Sequence, residues 1–143
     1  MTTQGFQFKQ TGHLNPALSE PGVRTLNPDG LTGTWVNTNL QTKGIAKCII
    51  QWDGSEFSLR ILGVGENGLI AWPTPKARAL ANLEEEANQR AMALEAIFEF
   101  DFGKTEAYLR VNKGVLVIVV FNIFLDGSGR SNYVNREFFY REA

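Results

Sequence analysis

The chain has 143 residues, 43% of them hydrophobic and 20% charged, which suits one globular domain with a single core and not a disordered chain. Fourteen Lys and Arg stand against fifteen Asp and Glu, so there is no basic surplus to hold a nucleic-acid backbone or to dock on an anionic membrane. A single cysteine, Cys48, and a single histidine, His13, exclude an internal disulfide and argue against a structural zinc site.

In chain order, residues 1–30 are rich in turn formers (Asn15-Pro16, Pro21-Gly22, Asn27-Pro28-Asp29-Gly30) yet carry Phe6, Phe8, Leu14, Leu18, Val23 and Leu26. They read as an arm that packs on a body formed by residues 31–143. The start has no basic stretch followed by an apolar run, and the apolar run from Val115 to Phe121 is too short for a membrane helix. The expected setting is cytoplasmic, without membrane insertion.

Short β-patterned stretches follow. Gly33–Thr38, Gly44–Trp52 and Ser55–Val64 read as strands, the last two joined by an Asp53-Gly54 turn. Leu69–Trp72 opens an edge-like strand interrupted by Pro73 and Pro75. Residues 76–96 carry two signals. Lys76 to Leu80 alternates as a strand does, whereas Leu80, Leu83, Ala87, Ala91 and Leu94 fall at helical spacing, and Asn82 with Glu85 matches a capping box. The reading adopted is a strand to about Leu80 and a short helix near 83–90.

Beyond it, Leu94, Ala96, Phe98, Phe100 and Phe102 share one face, opposite Glu95, Glu99 and Asp101. Lys104–Val111, Val115–Leu125 and Ser131–Arg141 complete the series, separated by Asn112-Lys113-Gly114 and Asp126-Gly127-Ser128-Gly129. The whole predicts an all-β chain: a closed antiparallel up-and-down barrel of about eight strands, wide enough for side chains or one small ligand.

Gly33-Thr34-Trp35 at the first strand resembles the Gly-x-Trp opening of lipocalins and their calycin relatives. Gly33-Thr-Trp-Val-Asn-Thr-Asn39 with Thr42-Lys-Gly-Ile45, Asp126-Gly-Ser-Gly-Arg-Ser-Asn-Tyr133 and Arg136-Glu-Phe-Phe-Tyr-Arg141 are similar to the ends of bacterial lipocalin-like barrels. The resemblance spans about residues 31–141. It implies that Trp35 closes one end of a barrel and that an arginine of the last strand, Arg141 before Arg136, lies over it as a cation–π partner. It implies no particular reaction.

A hollow barrel would make the apolar stripes a pocket wall. Phe57, Leu59, Ile61, Phe98, Phe100 and Leu109 are the expected lining for a lipid-, terpenoid- or polyketide-like molecule, with Asn122, Arg136 and Tyr140 supplying polar contacts. Asn122 reads equally as a structural hydrogen bonder. The parity of residues 133–141 is undecided, because both faces of that strand are mixed. A second reading is a cofactor-free cyclase or isomerase using Arg136, Tyr140 or Glu137. A third is an assembly protein. The strand from Val115 is apolar on both faces, so Val115, Val117, Val119, Phe121 and Ile123 need a cover, either the arm or a second subunit. Glu99 with Asp101 and Glu84-Glu85-Glu86 read as solvated faces, His13 as a surface residue, and Cys48 as a small buried hydrophobe. Gly63-Val-Gly-Glu-Asn-Gly68 lacks the Lys-Ser/Thr of a phosphate loop.

Overall fold

The structure, a computed structural model, describes residues 25–81 and 88–143. They form ten strands: β1 (Thr25–Asn27), β2 (Gly33–Asn37), β3 (Ile45–Trp52), β4 (Phe57–Gly65), β5 (Gly68–Ala71), β6 (Lys76–Ala81), β7 (Asn88–Phe100), β8 (Gly103–Asn112), β9 (Val115–Phe124) and β10 (Tyr133–Arg141). All belong to one sheet in the order β1-β7-β8-β9-β10-β2-β3-β4-β5, with β6 also on β7. Every pairing is antiparallel except that of β1 on β7. The sheet curls strongly into a half-barrel.

Two expectations are corrected here, and a third lies largely outside the described residues. The strands number ten, not about eight, because Thr25–Asn27 forms its own strand and the chain around Pro73 and Pro75 divides into β5 and β6. The sheet is a half-barrel whose ends β5 and β6 are not paired with each other. No helix occurs among the described residues. Residues 82–87, with Asn82 and Glu85, lie outside them, and Asn88–Arg90 are strand, registered on Thr25–Asn27. Leu80 and Leu94, two members of that helical spacing, lie on two antiparallel strands, β6 and β7. Of the expected arm, residues 1–24 lie outside the described residues. The remainder is β1 and the Pro28–Leu31 turn, which delivers Leu31 into the core with no exposure.

Alternation assigns the faces. Leu94, Ala96 and Phe98 of β7, Thr105, Ala107 and Leu109 of β8, and Leu116, Ile118 and Val120 of β9 are buried on the concave face. On β3, a bulge at Ala46 resets the parity, so Ile45, Cys48 and Ile50 all reach the core. Burial in this apolar setting pushes the Cys48 thiol far above its ordinary pKa, so it packs as a small hydrophobe.

Trp35 is buried on β2. Its Nε1 donates to the Leu31 carbonyl at 2.9 Å, and the Arg141 guanidinium lies 4.6 Å from its ring. Arg141 Nη2 also donates to the carbonyls of Asp29 and Gly30, both at 3.1 Å. One arginine thus ties β10, β2 and the turn after β1 together.

Candidate functional site: a cleft where the sheet fails to close

β5 and β6 follow one another in sequence but sit on opposite ends of the sheet, β5 on β4 and β6 on β7. Residues 72–75 bridge them. Pro73 and Pro75 cannot donate to a ladder, which is why neither strand continues across the seam. The bridge is anchored by Trp72, whose N–H donates to the Ile61 carbonyl at 2.9 Å and whose indole meets Phe98 and Phe100 edge-on at 5.1 and 5.4 Å.

β5 covers only Leu62–Gly65 of β4. Over Phe57–Arg60 the edge of β4 therefore faces β6 without a strand between them. A cleft of about 600 Å³ opens there, within the range of small-molecule sites. Phe57, Leu59, Ala77, Ala79, Leu94, Leu26 and Pro75 give it an apolar floor and walls. Trp52 packs on Phe57 with ring centroids 4.7 Å apart. Ser55, Glu56, Ser58, Arg60, Thr74 and Arg78 form the lip. Arg78 is held by Glu95 at 2.9 Å, whereas Arg60 is exposed and has no ion-pair partner among the described residues. The lip at Ser55 and Glu56 is fixed by Asp53. Its carboxylate accepts the backbone N–H groups of Glu56 and Ser55 and the Ser55 hydroxyl, which lowers its pKa below the ordinary carboxylate value.

The residues selected from sequence as a pocket lining separate into groups. Phe57 and Leu59 line the cleft. Ile61, Phe98 and Leu109 are core, and Phe100 lies against Trp72 and begins an aromatic row. That row runs from Phe100 through Phe102 and Phe124 to Tyr133, with Arg130 stacked 4.1 Å from the Phe124 ring centroid and held by Asp126 at 2.8 Å. Asn122 accepts a hydrogen bond from the buried Thr105 hydroxyl at 2.8 Å. Arg136 and Tyr140 are on the convex face, exposed, with Arg136 lying over Phe138. They are corrected from interior polar contacts to outer-surface residues. The undecided parity of β10 resolves because Phe139 is fully buried and Glu137 is drawn inward.

Glu137 sits among donors. Its Oε1 accepts from Asn37 Nδ2 at 2.9 Å and in a short bond from the Thr42 hydroxyl, and Oε2 accepts the Ile45 N–H at 3.2 Å. Asn37, itself buried, also donates to the Ile45 carbonyl at 2.8 Å. The carboxylate clamps the β2–β3 loop onto β10. Sequence reading missed Arg60, Trp52, Ala77 and Ala79 as cleft residues. The Pro73/Pro75 interruption marked the seam but did not say which strand edges would flank it.

No three His, Cys, Asp or Glu side chains converge among the described residues in a way that could hold a metal ion. No helix among them is long and apolar enough to cross a membrane. No family model, curated protein or solved structure matches this chain.

Proposed function

We propose that the seam cleft binds a small amphipathic molecule, lipid-, terpenoid- or polyketide-like, with its apolar body against Leu59, Ala77, Ala79 and Leu94 and an acidic head at Arg60. The observation that carries this reading is the pairing of an apolar floor that reaches the core with an uncommitted guanidinium at the lip. A planar guanidinium suits a carboxylate or enolate better than a neutral head. The unaccompanied edge of β4 adds backbone polar groups that fix orientation. The Gly33-Thr34-Trp35 opening with Arg141 over Trp35 supports a lipocalin-like kinship for the scaffold.

Binding is favoured over a cyclase or isomerase reaction. The three candidate groups do not converge: Arg136 and Tyr140 lie on the convex face, and Glu137 spends its acceptor capacity on Asn37, Thr42 and Ile45.

The test is displacement titration with cis-parinaric acid and its methyl ester, followed by probe and tryptophan fluorescence. The acid should bind one per chain. Arg60→Ala should weaken the acid about tenfold, the worth of one charge-assisted hydrogen bond, and leave the ester unchanged. Ala77→Phe, which places a ring in the cleft, should abolish both. Absence of binding, or binding indifferent to Ala77→Phe, would overturn the assignment.

A further inference from the structure

The convex face of β8, β9 and β10 carries a second surface, independent of the cleft. Register places Tyr108, Val119 and Arg136 in one row across the three strands. The row on one side is Glu106, Phe121 and Val134, and the row on the other is Arg110, Val117 and Phe138. Phe121, Val134 and Phe138 are 45, 60 and 41% exposed, a contiguous apolar strip of the kind that marks an interface.

We propose that this strip is a homodimer interface in which β9 packs antiparallel on β9 of a second copy. The argument is charge complementarity. A two-fold axis along the Tyr108–Val119–Arg136 row exchanges the two flanking rows. Phe121 then faces Val117 of the second copy, Val134 faces Phe138, and Glu106 faces Arg110, twice by symmetry. One row further out, Ile123 and Val115 exchange in the same way, both apolar. A two-fold along β9 itself lays β8 on β10 and would set Glu106 on Val134 and Arg110 on Phe138, burying charges against apolar groups. Arg110 has no ion-pair partner among the described residues, and Glu106 has only the exposed Lys104, at 3.5 Å. The same axis sets Arg136 against Arg136 of the second copy, the one like-charge meeting in the patch, and each guanidinium lies against its own Phe138 ring at 5.3 Å.

A face of three strands is near the small end of protein interfaces, so dissociation on the order of micromolar is expected. Sedimentation velocity across a concentration series tests it on the whole chain. Glu106→Arg and Arg110→Glu each set like charges face to face at two points and should weaken the dimer about tenfold. The double variant E106R/R110E recreates both pairs and should recover wild-type affinity to within about threefold. Both positions are on the outer face, and circular dichroism confirms the fold of the three variants. A monomer at every concentration, a dimer indifferent to the single reversals, or a double variant no better than either would overturn the proposal. Dimerisation seen only after removal of residues 1–24 would assign the strip to that segment and overturn it equally.

Discussion

The indole of Trp72 occupies the space that a side chain on Gly63 would need: a Cβ built there collides with Nε1. The glycine on β4 and the tryptophan on the bridge are therefore one device. It lets the chain cross from one end of the sheet to the other while sealing the upper part of the seam against Phe98 and Phe100. Gly63→Ala should expel the indole, cost about 1–3 kcal/mol as an overpacked site, and shift tryptophan emission to the red. Urea unfolding and fluorescence measure both effects. Adding Trp72→Leu to the alanine variant should return part of the lost stability.

At the opposite end, Arg141→Leu removes the stacked cation over Trp35 and two hydrogen bonds to carbonyls. A loss of about 1–3 kcal/mol is expected in urea unfolding. Arg141→Lys should recover less than half of it, because an ammonium cannot stack flat and donate to both carbonyls at once. Gly33→Ala should behave similarly, since its φ of +136° and the Arg141 side chain at 3.1 Å both oppose a methyl group.

Glu137→Ala leaves the Ile45 N–H and the Thr42 hydroxyl without their acceptor. The expected cost is about 2–3 kcal/mol, with faster amide exchange at Ile45. Glu137→Gln should cost less, because one of its two terminal atoms still accepts. Unchanged exchange at Ile45 in the alanine variant would remove Glu137 from its role as a clamp.

The Asp126 carboxyl is lowered to about 2 by the Ser128 hydroxyl and N–H and by Arg130. Its folded pKa lies below the unfolded value, so its contribution to stability is complete above the ordinary carboxylate pKa and is lost as pH falls through about 2. The Arg130 stack on Phe124 should therefore persist at pH 4 and loosen only near pH 2. NMR titration of the Asp126 carboxyl and of the Phe124 ring protons checks this, and Asp126→Asn should loosen the stack at neutral pH.

Strong alternation was legible. Phe98 inside and Glu99 outside follow from residues 94–102 alone, because only one side of that strand tolerates burial. β10 was not legible. Tyr133, Asn135, Glu137 and Phe139 look no more apolar than Val134, Arg136, Phe138 and Tyr140. What turns Glu137 inward is Asn37, 100 residues away. β9 is apolar on both faces, and the row from Val115 to Phe121 read as the outer one is the more exposed, while Leu116, Ile118 and Val120 are buried. The cleft was hidden for another reason. It depends on a ladder that is missing between β4 and β6, and local sequence records the strands but not the gap between them.

β10 stands between β9 and β2 in the sheet, so it is the strand that unites β2–β5 with β6–β9. It is also the last of the ten to leave the ribosome. Until it emerges, the nascent chain holds two separate sheets with unprotected flanks on β2 and β9, a state that invites mispairing between chains. Assembly must wait until β10 has emerged. A frameshift or nick that removes β10 should yield sticky fragments instead of a slightly weakened protein.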